Sequence, residues 1–107
     1  MRPTIGTISH GTLRECDLIP AFLSCLEDFA ESDIGASRDY NSIAFFMEES
    51  GAYEKDGSFD ENWFDSGASQ ETLNDLFDAL DRIAGAYGMT FGSLDGDGSD
   101  FGFWNVD

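Results

Sequence analysis

The sequence SQETLNDLFDALDRIAG, residues 69–85, is the stretch that decides the fold. Its apolar residues recur at intervals of three and four, which places them on one face of an α-helix: Leu73, Leu76, Phe77, Leu80, Ile83 and Ala84. Ser69 is a residue type that caps helix N-termini, and Gly85 is one that ends helices. We therefore predict an amphipathic helix over residues 69–85 with one buried face.

The chain after this helix has the pattern of a β-hairpin. Residues 89–94 (MTFGSL) and residues 101–105 (FGFWN) are both β-prone runs. They flank residues 95–100 (DGDGSD), whose Asp and Gly residues favour a turn. A weak alternation over residues 4–9 indicates one further short strand near the start of the chain.

A second amphipathic helix is predicted in the first third of the chain. Residues 12–15 (TLRE) match a capping box, and apolar residues recur at helical spacing over residues 18–30. Pro20 breaks a helix interior, because it lacks an N–H donor and clashes with the preceding turn. We therefore expect either a short helical turn followed by a main helix beginning near Asp17, or a kink.

The middle of the chain reads as a loop, a helix and a longer loop. Residues 33–36 are expected to form the first loop, and the apolar spacing predicts a helix over residues 38–49 with Gly51 as its C-terminal stop. Residues 51–68 mix turn formers and acids with aromatic side chains. We expect an ordered loop anchored to the core by its aromatics: Tyr53, Phe59, Trp63 and Phe64.

These elements predict an α+β fold, with about three helices packed on a small C-terminal antiparallel β-sheet or hairpin. The 107 residues contain no internal repeat and no linker, so residues 1–107 are expected to form a single globular domain. The predicted core combines residues from both helices and strands: Phe22, Leu26, Leu73, Phe77, Leu80, Phe91 and Trp104.

The charge balance is the most unusual property of the composition. Twenty-two acidic residues against five Lys and Arg give a formal net charge of −17. With 41% hydrophobic and 14% aromatic residues, the chain has the material for a folded core, which argues against disorder. The charge repels nucleic acid and anionic membranes, which leaves basic proteins and cations as candidate partners. Salt adaptation and a solubility coat remain open as alternatives.

Cysteine spacing and the absence of apolar runs indicate the compartment. Cys16 and Cys25 lie in one predicted helix, where nine residues span about 13 Å, beyond the reach of a disulfide. Two free thiols suggest a reducing environment. The first residues lack the apolar run of a signal peptide, and no stretch is long enough to span a membrane. We expect a cytoplasmic protein.

Nothing in the sequence predicts an enzyme or a cofactor. The one histidine, His10, lies near Ser9, Thr12 and Cys16 in sequence, but this spacing does not make a catalytic triad. Residues 95–100 resemble the start of an EF-hand loop, but its sixth and twelfth positions are Asp100 and Val106 instead of Gly and Glu. We therefore expect no catalytic residue and no specific metal site.

The acids of the central segment are the best candidate site. Eleven carboxylates lie between residues 48 and 81 with Lys55 as the only base: Glu48, Glu49, Glu54, Asp56, Asp60, Glu61, Asp65, Glu71, Asp75, Asp78 and Asp81. Glu71, Asp75 and Asp78 are four and three residues apart, so their Cβ atoms are about 5–6 Å apart on one helix face. This spacing is comparable to that of phosphates along a DNA strand. We predict that these acids bind a partner.

Two sequence motifs carry a family resemblance. The opening RPTIGTISHGTLRECDLIPAFL and the close FGSLDGDGSDFGFW, together with the third helix, resemble a family of small acidic proteins of phages, plasmids and other mobile elements. The motifs cover about half of the chain and transfer no catalytic residues. Such proteins are often inhibitors of host defence, and some anti-CRISPR and anti-restriction proteins are DNA mimics, so the resemblance implies that setting by analogy.

The function expected from these observations is non-enzymatic inhibition. An acidic, DNA-mimicking surface would occupy the basic nucleic-acid-binding surface of a host defence complex, such as a CRISPR effector or a restriction enzyme. One alternative is a protein–protein adaptor or metal-responsive module that uses residues 95–100. A salt-adapted structural protein is the other.

Overall fold

The computed structural model of the chain describes residues 6–9, 11, 14–94 and 97–105. In chain order the elements are β1 (Gly6–Ser9), α1 (Glu15–Ala30), α2 (Ile34–Glu49), a 3₁₀ helix (Glu61–Asp65), α3 (Gly67–Ala86), β2 (Met89–Leu94) and β3 (Asp97–Asn105). The predicted α+β class is confirmed.

The sheet has three antiparallel strands in the order β1-β3-β2. β2 and β3 form the predicted hairpin, in which Phe91 lies opposite Phe103. β1 pairs with the other edge of β3, where Thr7 lies opposite Gly102. The strand near the start of the chain therefore makes β3 the central strand.

The hairpin closes more tightly than the sequence predicts. Leu94 pairs with Asp97, so the backbone of residues 97–100 belongs to β3. A turn over the whole of residues 95–100 is therefore wrong. Residues 95 and 96 themselves lie outside the described residues, as does the predicted capping residue Thr12.

α1 is one helix that contains Pro20, instead of a short turn followed by a second helix near Asp17. Because Pro20 has no N–H, the helix lacks one backbone hydrogen bond there, and an interior proline costs about 3 kcal/mol. Burial of the apolar face offsets this cost: Leu18, Ile19, Phe22, Leu23, Leu26 and Phe29 are all buried.

α2 begins at Ile34, four residues before the predicted start. Asp33 is its N-cap, and the Asp33 carboxylate accepts a hydrogen bond of 2.9 Å from the Ala36 amide. The loop expected over residues 33–36 is therefore wrong. The predicted stop is confirmed, since Gly51 has a φ of +89° directly after the C-cap.

α3 begins at Gly67 and ends at Ala86, so Ser69 is not its N-cap and Gly85 is not its end. Ser69 is buried in the first turn, where its hydroxyl lies 2.8 Å from the Phe64 carbonyl oxygen and 2.6 Å from Glu15 Oε2. The turn after the helix is made by Gly88, whose φ is +72°.

The core lies between the three helices and the inner face of the sheet. Of the predicted core residues, Phe22, Leu26, Leu80 and Phe91 are buried, whereas Leu73, Phe77 and Trp104 are partly exposed. Phe103 takes the place predicted for Trp104, because successive residues of a strand face opposite sides of the sheet. The Trp104 indole N–H instead donates to the Gly92 carbonyl at 2.9 Å.

Candidate acidic interaction surface

The eleven predicted acids are spread over four segments of the fold. Two lie in the last turn of α2, three in the following loop, two in the 3₁₀ helix and four on α3. Ten of their side chains are exposed, and Asp60 is half-buried. Exposure alone does not distinguish acids that are free to bind a partner from acids that hold the fold.

Four of the eleven carboxylates have hydrogen-bond partners among the described residues, and the longest of these bonds, at 3.5 Å, joins the Ser58 hydroxyl to Glu54. Asp56 accepts bonds from the Ser58 hydroxyl at 2.6 Å and the Ser58 amide at 3.0 Å. These bonds favour the ionised form and lower the pKa of Asp56 below its ordinary value. Asp60 caps the 3₁₀ helix through the Asn62 amide at 2.9 Å. Asp81 accepts a bond of 3.2 Å from the Phe91 amide.

The hydrogen bond between the Phe91 amide and Asp81 has a structural role. β2 is an edge strand, and the Phe91 amide is a donor on that strand. Edge donors invite pairing with another chain unless they are covered, and the Asp81 side chain covers this one. Asp81 therefore stabilises the contact between α3 and the sheet, a role that the sequence pattern does not reveal.

The outer face of α3 carries Glu71, Asp75 and Asp78 in one row, at the spacing predicted from the sequence. The row continues with Arg82, four residues after Asp78. Arg82 was missed because it lies one residue beyond the acidic segment that ends at Asp81. Its guanidinium forms an ion pair with Asp39 of α2, which sequence reasoning did not single out either.

All of these side chains except Glu71 line a groove of about 290 Å³ between α2 and α3, here called the α2–α3 groove. Asp39, Asp75 and Asp78 contribute three carboxylates, and Arg82 contributes one guanidinium. Because Asp39 and Arg82 compensate each other, the charges of Asp75 and Asp78 dominate the field of the groove. The structure therefore brings together two predicted acids with a neutral ion pair beside them.

The loop between α2 and α3 is ordered by its aromatic residues, as predicted. Tyr53 and Phe59 form an isolated antiparallel bridge, and their ring centroids are 5.1 Å apart. The Phe59 ring packs against that of Phe64 in a tilted arrangement, with centroids 5.4 Å apart. Trp63 is buried, and its indole N–H donates to the Ser50 hydroxyl at 2.9 Å. These contacts fix the backbone that carries Glu61 and Asp65.

A larger groove, of about 810 Å³, lies between this loop and the start of α1 and is here called the aromatic groove. It is lined by apolar and charged side chains: Arg14, Glu15, Cys16, Phe59, Glu61, Phe64 and Asp65. Two of the predicted acids, Glu61 and Asp65, therefore lie beside half-buried aromatic rings. The rest of the predicted set does not line either groove, apart from Asp75 and Asp78.

The described part of the chain holds no group of three or more His, Cys, Asp and Glu side chains arranged to bind a metal ion. Cys16 and Cys25 are free thiols on α1. Burial, with a contribution from Asp28, raises the pKa of Cys25 to about 11, so this thiol is a poor nucleophile at neutral pH. His10 lies outside the described residues.

No protein-family model, no curated protein and no solved structure matches the chain. Among the described residues, no helix is both long and apolar enough to cross a bilayer. The fold and the surface define a small α+β domain with a strongly acidic exterior.

Proposed function

We propose that this protein is a non-enzymatic inhibitor of the DNA-mimic type. Its acidic surface would occupy the basic nucleic-acid-binding surface of a host defence complex, such as a CRISPR effector or a restriction enzyme. The observation that carries the proposal is the row on α3, in which Asp75 and Asp78 have no basic partner among the described residues, while the nearby Arg82 is paired with Asp39.

The support of α3 makes this row a rigid one. The opposite face of the helix is buried in the core through Leu76, Ala79, Leu80 and Ile83. The buried face fixes the backbone that carries the exposed carboxylates, so little backbone entropy is lost when they bind. Fixed negative charges can then pair with Lys and Arg residues arranged for phosphates.

The net charge adds a long-range contribution to the same activity. A charge of −17 attracts basic surfaces over distances near the Debye length, about 8–10 Å at physiological salt. Such steering raises association rates and falls as salt rises. The resemblance to small acidic proteins of mobile elements suggests the same kind of partner.

The acids that serve the fold are left out of the proposed contact surface. Asp56, Asp60 and Asp81 are engaged in a turn, a helix cap and the strand edge. The contact surface that we propose consists of the remaining acids: Glu48, Glu49, Glu54, Glu61, Asp65, Glu71, Asp75 and Asp78.

The metal-responsive alternative is less compatible with the geometry. An EF-hand loop curls around its ion, whereas residues 97–100 belong to strand β3, in which Asp97 pairs with Leu94 of β2. We therefore do not propose a cation-dependent function for residues 95–100.

The test uses the immobilised protein and the fraction of a bacterial lysate that elutes from DNA-cellulose. We expect capture of a nucleic-acid-binding protein at about 50 mM salt, weaker capture at about 200 mM salt, and release by added duplex DNA. The double variant Asp75→Asn, Asp78→Asn should lose most of this capture.

The matched control is the double variant Asp28→Asn, Glu31→Gln. It also removes two negative charges, but from exposed positions at the end of α1. It should retain capture if the α3 row is the site. An equal loss of capture in both double variants would show that the interaction depends on net charge and not on the α3 row. Capture that changes with neither salt nor added DNA would refute the proposal.

A further inference from the structure

The aromatic groove is lined in part by two aromatic rings, those of Phe59 and Phe64. Both residues are half-buried, and their rings pack against each other at an interplanar angle of 44°. The backbone that carries them is held in place, because the Asp60 amide donates to the Ala52 carbonyl at 2.8 Å and Trp63 packs edge-on against Phe64. The rings are therefore fixed in position before any ligand arrives.

The charged lining of the same groove is predominantly negative. Glu15, Glu61 and Asp65 contribute three carboxylates against the single guanidinium of Arg14. Glu15 is held by the buried Ser69 hydroxyl at 2.6 Å. Among the described residues, the Glu61 and Asp65 carboxylates have neither a hydrogen-bond partner nor an ion-pair partner, so both are available to a ligand.

Aromatic rings and carboxylates that line the same groove match the chemistry of one side chain. A guanidinium is planar and weakly hydrated, so it stacks on aromatic faces, and its donors bind carboxylates in a bidentate manner. An ammonium group is compact and strongly hydrated, and it gains less from the same aromatic rings. The negative charge of the groove attracts both cations, and the aromatic rings beside the carboxylates favour arginine over lysine.

We infer that the aromatic groove is a docking site for an arginine side chain of a basic partner protein, with Phe59 and Phe64 as the stacking surface and Glu61 and Asp65 as the anion pair. This inference rests on the proposed function, since the arginine would belong to the same partner surface. It assigns to the loop between α2 and α3 a contact that selects arginine, and net charge alone does not explain such selectivity.

The test compares fluorescein-labelled hexa-arginine and hexalysine peptides by fluorescence anisotropy at about 150 mM salt. Both peptides carry the same charge, so any preference comes from the chemistry of the cationic group. We expect the wild-type protein to bind hexa-arginine roughly fivefold more tightly than hexalysine. Equal affinities would overturn the inference.

Two variants locate the preference. Phe59→Leu retains an apolar side chain but removes the aromatic face, and should reduce the arginine preference to less than twofold with little change in hexalysine affinity. Glu61→Gln, Asp65→Asn changes two exposed residues without threatening the fold and should weaken hexa-arginine binding more than the control Asp28→Asn, Glu31→Gln does. An arginine preference that persists in both groove variants would place the contact elsewhere and refute the inference.

The outcome is separable from that of the proposed function. Asp75→Asn, Asp78→Asn leaves the aromatic groove intact, so this variant should keep the arginine preference even where it loses the DNA-binding fraction. If no nucleic-acid-binding protein is captured, the proposed function fails, while the peptide comparison still decides whether the groove selects arginine.

Discussion

Substitution of Gly102 by Ala tests the placement of β1 on the central strand. Gly102 is buried in β3 and lies opposite Thr7 of β1. A Cβ atom added there would lie 2.9 Å from Thr7 Cα and 2.8 Å from the Gly6 carbonyl carbon, and closer still to the Gly6 carbonyl oxygen. These are backbone atoms, so relief requires movement of β1 itself.

The size of the effect follows from the overpacking that results. Inserting a methyl group into a well-packed site costs about 1–3 kcal/mol, and the upper part of this range applies where backbone must move. With a urea m-value of about 1.5 kcal/mol/M, a loss of about 3 kcal/mol lowers the midpoint by about 2 M. A domain of this size has a total stability of about 5–15 kcal/mol, so the variant should still fold.

Gly92 provides a matched control, because it lies directly opposite Gly102 on β2. A Cβ atom at Gly92 would meet the Phe77 ring at 3.5 Å, an ordinary van der Waals contact. Gly92→Ala should therefore change the free energy of unfolding by no more than about 0.5–1 kcal/mol. Any change should favour the variant, because alanine lowers the backbone entropy of the unfolded chain. Urea denaturation followed by tryptophan fluorescence measures both variants. Equal midpoints for Gly102→Ala and Gly92→Ala would refute the described packing of β1.

Three further predictions concern individual ionisable groups. Asp81→Ala should lower the free energy of unfolding by about 1 kcal/mol, because the Phe91 amide loses its acceptor, and it should leave partner capture unchanged; denaturation and pull-down assays check both. Ser58→Ala should raise the pKa of Asp56 towards 3.8 in a carbon-13 NMR titration. Since the folded pKa is the lower one, the stability that Asp56 contributes is present above the unfolded value and is lost as pH falls through the folded pKa. Cys25 should react with iodoacetamide at pH 8 about 100-fold more slowly than an unperturbed thiol, because its pKa rises from 9.0 to about 11; a normal alkylation rate would contradict its burial.

Local patterns in the sequence were sufficient for the helices and the hairpin. The apolar spacing of α1 and α3 gave their buried faces, and the two β-prone runs gave β2 and β3. The start of α2 was missed because Ile34 and Gly35 are poor helix formers, and the signal that the Asp33 cap provides is easily assigned to a turn. One side-chain hydrogen bond decided the boundary.

Contacts between distant segments could not be predicted from the sequence. β1 and β3 are far apart in sequence, and their edges meet only in the folded chain. No residue pattern specifies the order of the strands in the sheet. The ion pair of Arg82 with Asp39 has the same origin, since it joins two helices. For the same reason, the sequence identified the acids but not which of them the fold uses as caps and edge acceptors.

The scarcity of acids on α2 argues against a uniform acidic coat. Over residues 34–47, α2 contains a single acid, Asp39, and this acid is paired with Arg82. Over residues 48–81 there are eleven acids and one lysine. Solubility or salt adaptation favours acids wherever the surface is exposed, and the outer face of α2 is exposed. The scarcity of acids on α2 instead gives the molecule an uneven field, which orients a basic partner during approach. The two explanations also predict opposite effects of removing salt. A salt-adapted fold loses stability when salt is removed, whereas an acidic ligand binds its partner more tightly under the same condition.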